Sequence, residues 1–390
     1  MLKKELIRMT KRRANGEGSI RKRSDGRWEG RYIAAHDENG KAIYKNVLGK
    51  TQAEVKEKLR TAIENSEKLD MTRTGTYTVG SWLQLWYEVY AAPNLRDNTR
   101  LYYENSMKNH ILPRIGNIPL DKLQTIQVQK FYNELLRDGK VGNRKAGENN
   151  GLSPSVVHHV HMILNRCMEQ AVSERLILTN PVKGCRVPKV VQKEMNTLPE
   201  ELIGAYLREA EQRGLLALFY LELTTGLRRG EILALLWTDL DAEAKTIRIT
   251  KQMSRVYGEL KVCPPKTANG IRTLALTDRA VELLVEEHEK HPTNPYMFPS
   301  PRTGEMWDPD AFRHVHDRII KAIGAGHVRL HDLRHTFATL SLKNGVDVKT
   351  LSAALGHFSA GFTLNTYTHA TPQMKRDAAV KTGEVVDGRM

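Results

Sequence analysis

His331-Asp332-Leu333-Arg334-His335-Thr336-Phe337 sets two histidines and an arginine at i, i+3 and i+4, so on a helix the three share one face. Two chemistries suit such a face. One is a variant of the HExxH zinc-hydrolase motif with Asp332 in the glutamate's place. Arg334 weighs against it, because a fixed cation on the ligand face competes with the metal, and only His357 offers itself as a third ligand. The other uses the arginine itself as an anion ligand, and its strength depends on what the rest of the chain supplies.

The chain supplies a good deal. Upstream, Thr225-Gly226-Leu227-Arg228-Arg229-Gly230-Glu231 places two arginines and a glutamate in front of the apolar run Ile232 to Trp237, which predicts an amphipathic helix. Arg228 there could equally be an ion-pair partner for Glu231 at i+3. Pro264-Pro265-Lys266-Thr267 lies on the approach to a strand expected at Arg272–Leu276, a position where a lysine is ordinarily a solvated surface residue. Downstream come Leu355-Gly356-His357 and then Tyr367. Each feature has a bland explanation alone. Together they set two arginines, two histidines, a lysine and a tyrosine in order along one basic chain.

That set fits phosphodiester chemistry without a metal. Such a reaction requires an internal nucleophile, neutralisation of the extra charge in a pentavalent transition state, and a proton for the departing oxygen. A phenol with a pKa near 10 needs a base or nearby cations before it attacks. Guanidiniums bind non-bridging oxygens through paired donors and keep their charge. Histidines can donate to the same oxygens or relay the phenol proton, and the sequence does not say which one does so. A phosphotyrosine conserves the bond energy, so rejoining needs no ATP, and the chain has no Gly-x-x-x-x-Gly-Lys-Ser/Thr loop.

Charge agrees with a polyanionic partner. Among 390 residues, 60 Lys and Arg outnumber 45 Asp and Glu, a net charge of +15. Residues 1–75 hold 19 basic and 11 acidic residues, so 8 of the 15 net charges fall there. A solubilising tail would show the same excess, but this segment carries structure signals. Ser24-Asp25-Gly26 is a hairpin turn, Asp37 to Gly40 is a second turn, and Thr51-Gln52-Ala53-Glu54 has the form of a capping box opening a helix to about Lys68. Three short strands and a helix make a small α+β domain over 10–70, with Arg21, Arg23, Arg27 and Arg31 along a ribbon of a size that enters a major groove.

An all-α unit follows over about 76–180, with a helix from Val79, one from Asn98 to Ile111, a loop from Pro113 to Pro119, and helices at Gln124–Asp138 and Ser153–Ala171. A third, mainly helical domain with one β region spans 196–390. Three separated cysteines suggest neither a disulfide framework nor a thiolate zinc site. The longest apolar stretch, from Gly214, contains Glu222 and is too short for a bilayer, and no apolar segment follows the basic N-terminus as in a secretory signal. A cytoplasmic location and no membrane partner are expected.

In that order and spacing, Arg228, Lys266, His331, Arg334, His357 and Tyr367 resemble the signature of the tyrosine recombinases, the lambda-integrase family. The whole chain resembles the three-part integrases of conjugative transposons and related mobile elements. The resemblance implies a small α+β arm-binding domain, an all-α core-binding domain and a mainly α catalytic domain with a small β-sheet. It implies those six residues as catalytic, Tyr367 as nucleophile, no metal or other cofactor, and double-stranded DNA with core and arm sites as partner. A homo-oligomer on DNA, expected to be a tetramer, is implied too, along with a possible DNA-bending or excision factor. The alternatives are a type IB topoisomerase, whose chemistry is the same, and a DNA-binding regulator that keeps the fold without activity. After Tyr367, Met374, Ala378, Ala379 and Val380 supply a modest apolar face, expected to dock on its own domain or on a neighbouring protomer.

Overall fold

The computed structural model describes residues 18–36, 39–142, 149–191, 196–265 and 267–357, and the positions 359, 361, 363–364, 380, 383–384 and 386–388. Lys266, Tyr367 and most of the segment after Tyr367 lie outside the described residues. The chain divides into two compact units, 1–191 and 192–390.

The first unit opens with an antiparallel sheet of β1 (Ser19–Lys22), β2 (Trp28–His36) and β3 (Ala42–Gly49), with β2 in the middle. The turn expected at Asp25-Gly26 is present: Gly26 N donates to Arg23 O at 3.1 Å and Arg23 N to Arg27 O at 2.8 Å. It sets the register in which Arg21 faces Glu29 and Ser19 faces Arg31. Alternation along β2 sends Gly30, Tyr32 and Ala34 inward, where helix α1 (Gln52–Lys68) covers them with Val55 and Leu59. Thr51 caps α1 by accepting from Glu54 N, as expected, but the Glu54 carboxylate accepts from Lys50 N at 2.8 Å, one residue before the cap, in place of the Thr51 N–H of a full capping box. Arg21, Glu29 and Arg31 are left on the opposite face of the sheet.

The remainder of this unit is helical: α2 (Val79–Trp86), α3 (Asp97–Ser106), α4 (Leu112–Ile115), α5 (Thr125–Asp138) and α6 (Pro154–Ser173). Its own core holds Trp82, Leu83, Phe131, Tyr132, Ile163 and Leu164, and the buried Trp82 indole donates to Cys167 O at 3.1 Å. One expectation is corrected. The loop predicted from Pro113 begins instead at Gly116, because a π-helical turn over Met107–Ile111 joins α3 to α4. That turn shifts the bonding, with Leu112 N donating to Met107 O, and places Pro113 in the first turn of α4, where a missing N–H costs nothing.

The second unit contains α7 (Glu200–Gln212), α8 (Leu216–Thr225), α9 (Arg229–Ile232), α10 (Asp278–Lys290), α11 (Pro309–Ala322), α12 (Leu330–Lys343) and α13 (Val348–Leu355). The predicted single β region is in fact two small sheets: β4 (Leu240–Asp241), β5 (Thr246–Ile249) and β8 (Arg272–Ala275) form one, and the hairpin β6 (Gln252–Val256) with β7 (Glu259–Cys263) forms the other. Tyr206, Phe219, Phe312 and Leu284 lie at the centre of the core.

The amphipathic helix predicted over Ile232–Trp237 is not formed, since α9 ends at Ile232. Ile232, Leu233, Ala234 and Leu235 are all buried, so this apolar run has no solvent face. Leu235 O instead accepts from Met297 N at 3.0 Å, and Leu236 bridges to Tyr296. The chain runs on from α9 in tight turns, with Ala234 N donating to Glu231 O and Leu235 N to Ile232 O, and becomes extended only at Leu236, where the pairing with Tyr296 stops the helix. Among the described residues no helix is long and apolar enough to cross a membrane.

Candidate active site

Two glycines place the two arginines. Gly226 ends α8 at φ +61 and Gly356 ends α13 at φ +63, both in the left-handed region that a side chain disfavours. Neither has room for one: a Cβ on Gly226 would lie 2.4 Å from the Phe337 ring, and one on Gly356 2.9 Å from Asn269 O. Arg334 Nη1 donates to Gly226 O at 2.7 Å and its Nη2 to Leu355 O at 2.6 Å. Arg228 Nη2 donates to Gly356 O at 3.2 Å. Each arginine is therefore fastened to the chain reversal beside the other.

Glu231 confirms the i+3 pairing and adds a second partner. Its carboxylate accepts from Arg228 N at 3.0 Å and Arg228 Nη1 at 2.7 Å, and from Arg272 Nη1 and Nη2 at 3.2 and 2.8 Å. Burial pushes its pKa up, but the bonds and charges of Arg272 and Arg228 outweigh this and hold it below the usual carboxylate range. Arg272 was not singled out from the sequence. It opens a short strand on the same side as the buried Leu274, but its partner Glu231 lies 41 residues away and only the fold brings the two together.

The stretch 331–335 is helical, as expected, at the start of α12. Asp332 is buried and accepts from Arg329 N at 2.8 Å and Arg329 Nη2 at 2.7 Å. It closes the helix N-terminus, and despite burial the Arg329 guanidinium holds its pKa low. The glutamate-like role that a zinc reading gives Asp332 is thus already filled by capping. Among the described residues no group of three or more His, Cys, Asp and Glu could hold a metal ion.

Arg334 is buried at 2% exposure and His335 is buried beside it, while His331 stands at the exposed edge with its ring 4.8 Å from that of His335. Desolvation by the surrounding protein, then the charges of His335 and Arg334, brings the His331 pKa down to about 4. His357 is half-buried. Its Nδ1 lies 2.8 Å from Thr363 Oγ1, and its carbonyl accepts from Asn269 Nδ2 at 3.3 Å. Desolvation, followed by the charges of Arg334, Arg228 and Arg272, brings its pKa to about 4. Four of the six predicted residues, Arg228, His331, Arg334 and His357, are thus gathered closely enough to act on one another's charge. The site is cationic with neutral imidazoles at pH 7, a combination that attracts an anion and keeps proton acceptors available. Lys266 is not described, but Asn269 and Gly270, just beyond it, bond to His357 and Arg272.

On the N-terminal sheet, the four predicted arginines divide into three settings. Arg21 and Arg23 converge on Glu29, Arg27 pairs with Asp25 at 2.8 Å, and the Arg31 guanidinium lies 4.2 Å over the Tyr44 ring.

Comparison with known proteins follows this division. Residues 189–374 match the model of the phage integrase family, and residues 78–136 match that of the phage integrase N-terminal SAM-like domain. A tyrosine recombinase XerC-like protein of Caldanaerobacter subterraneus subsp. tengcongensis is 27% identical over 376 residues, covering 88% of this chain and 92% of that protein. The ICEBs1 integrase of Bacillus subtilis is 25% identical, covering 76% of this chain and 82% of its own. Among solved structures, the Tn1549 transposon integrase in complex with a circular intermediate DNA is similar with a TM-score of 0.66 at 20% identity, covering 78% of this chain and 99% of the other. A lambda integrase tetramer bound to a Holliday junction is similar with a TM-score of 0.57 at 19% identity, covering 87% of this chain and 96% of the other.

Proposed function

We propose, on the premise that the chain belongs to the lambda-integrase family of tyrosine recombinases, that Arg228, Lys266, His331, Arg334, His357 and Tyr367 carry out its site-specific DNA recombination. The enzyme cuts and rejoins the DNA of a mobile element. The observation that carries the assignment of residues is the mutual fastening of Arg228 and Arg334 through Gly356 and Gly226, with His331 and His357 neutral beside them.

In this reading the scissile phosphate binds between the two guanidiniums. The Tyr367 oxygen attacks phosphorus, a 3′-phosphotyrosine forms and the bond to the 5′-oxygen breaks. His331 or His357 takes the phenol proton, and Lys266 gives a proton to the departing 5′-oxygen. The phosphate's negative charge raises both histidine pKa values on binding, which makes them better bases when substrate is present. A 5′-hydroxyl from a second duplex reverses the attack, and the phenol oxygen leaves with its proton restored. No metal or ATP enters the balance.

Residues 10–70 serve as an arm-site binder, 76–180 as a core-site binder and 196–390 as the catalytic domain, and the active assembly on DNA is a tetramer in the cytoplasm, with an accessory bending or excision factor where the element supplies one. The lambda integrase structures with DNA, including the tetramer on a Holliday junction, support the DNA partner and the oligomer. A plasmid carrying two copies of the joined element ends, incubated with the protein in EDTA and without ATP, tests the reading. Recombinant circles are expected. Relaxation without recombinants would favour a topoisomerase, and binding without either would favour a non-catalytic regulator.

A further inference from the structure

Glu29 is an acidic residue at the centre of a basic surface, and it is almost completely hidden, at 2% exposure. It does not point into the core. Alternation along β2 puts it on the face away from α1, and the side chains that cover it lie on the sheet surface. Its Oε2 accepts from Arg21 Nε at 2.6 Å, and its Oε1 accepts from Arg23 Nη1 at 3.3 Å and Asn46 Nδ2 at 2.9 Å. The three donors come from β1, the first turn and β3, so one carboxylate organises all three strands of the sheet.

A surface built only to grip phosphate gains nothing from a carboxylate at its centre, because the carboxylate repels phosphate and cancels one cation. Reading a base has other requirements. A guanine presents O6 and N7 in the major groove, and a guanidinium fork held in place meets both acceptors at once. Arg21 has that arrangement. Nε is the atom committed to Glu29, so the two Nη groups form the outer edge of a side chain that is 72% exposed, and no described residue accepts from them. Holding the guanidinium by its Nε removes rotamers that would otherwise be lost on binding. Glu29 cannot readily take a base itself, since its two oxygens already serve three donors.

We propose that Glu29 is a positioning residue that aims Arg21 at a guanine in the major groove, making this sheet a sequence reader and not only an electrostatic anchor. The inference rests on the reading of the N-terminal domain as a duplex-DNA binder. Glu29 acts through Arg21, so it sets discrimination between base pairs more than overall affinity.

The test uses the full chain and a pool of duplexes with a randomised central block, from which bound DNA is selected and sequenced. Affinities are then measured for the selected duplex and for a copy with its enriched G·C pair replaced by A·T. The wild-type protein is expected to prefer the G·C duplex by about 10- to 100-fold. In Glu29→Gln that preference should fall below about 3-fold, while affinity for random duplex stays level or rises because a negative charge has gone. A purely structural role would lower both affinities together. Arg21→Lys, which keeps the charge but not the fork, should also lose the preference and guards against poor folding of the Glu29 variant. Glu29→Gln or Arg21→Lys retaining the full preference overturns the inference. Selected motifs that do not change even in a variant with Arg21, Arg23, Arg27 and Arg31 all replaced by Ala would instead overturn the DNA-binding reading of the domain.

Discussion

Arg272 and Glu231 meet end-on, with Nη2 2.8 Å from Oε2 and Nη1 3.2 Å from Oε1, and both side chains are nearly excluded from solvent. The pair does more than neutralise itself. Arg272 Nε also donates to Ala354 O at 2.6 Å and Nη1 to Gly270 O at 3.1 Å, while Glu231 holds Arg228. Three separated segments of the site are thus joined through one buried ion pair: the one bearing Arg228, the one following Lys266 and the one leading to His357.

Replacing Arg272 with Ala should therefore destabilise the protein by about 2–4 kcal/mol, below the cost of a fully unpaired buried charge because Glu231 keeps Arg228 as a partner. Arg272→Lys should recover part of the stability and less of the cleavage rate, because an ammonium cannot reproduce the planar fork. Urea unfolding and single-turnover cleavage of an element-end duplex measure the two effects. Unchanged unfolding in Arg272→Ala would remove the pair from this account.

Gly226→Ala tests the chain reversal beneath Arg334. The left-handed conformation costs a side chain about 1–2 kcal/mol, and overpacking against Phe337 adds about 1–3 kcal/mol. Gly324→Ala is the control in the same unit, with a φ of +66 but nothing within 4 Å of the added carbon. It should show the backbone cost alone. Equal losses in the two variants would mean that the close packing at Gly226 contributes nothing.

Stability should fall on mild acidification. His316 is fully buried, with Nδ1 2.9 Å from the Tyr206 hydroxyl and Nε2 3.0 Å from Val328 O, and burial lowers its pKa; His357 lies at about 4. Both bind a proton less readily folded than unfolded. Their contribution is intact above pH about 6.5, where the unfolded histidines are neutral too, and declines as pH falls below that, for His357 down to about 4, by at most about 1.4 kcal/mol per pH unit for each group. His331, being exposed, should add less. Urea midpoints at pH 7.5, 6 and 5 measure the slope, and His316→Gln should flatten it. A midpoint that rises on acidification would contradict the sign.

Removal of residues 1–70 should abolish arm-site binding and make the salt dependence of total binding shallower, since much of the net charge lies there. Core-site cleavage should persist, because none of the six proposed catalytic residues lies in that segment. Equal loss of both activities would make the segment part of the catalytic unit.

Much of this was readable in the residues. A hairpin turn at Asp25-Gly26, a cap at Thr51 and polar groups placed inside apolar runs at Arg228, Arg334 and His357 are local signals, and the structure realises each of them. What escaped depends on partners distant in the chain. The run Ile232–Trp237 looks like a helix face until Met297 and Tyr296 pair with its Leu235 and Leu236. Pro113 looks like a helix stop until a π-turn moves it into a first turn. Arg272 and Glu29 gain their meaning from cross-strand and loop neighbours that no short spacing encodes.

The central claim is that Tyr367 forms a covalent bond with DNA in a site built around Arg228 and Arg334. The direct measurement is a denaturing gel of the full chain incubated in EDTA with a nicked suicide duplex carrying the element's end, followed by mass mapping of the DNA-linked peptide. A covalent adduct on Tyr367 is predicted, absent in Tyr367→Phe although that variant binds the duplex as tightly as wild type. An adduct that persists in Tyr367→Phe, or one that disappears in EDTA and returns with zinc, would contradict it.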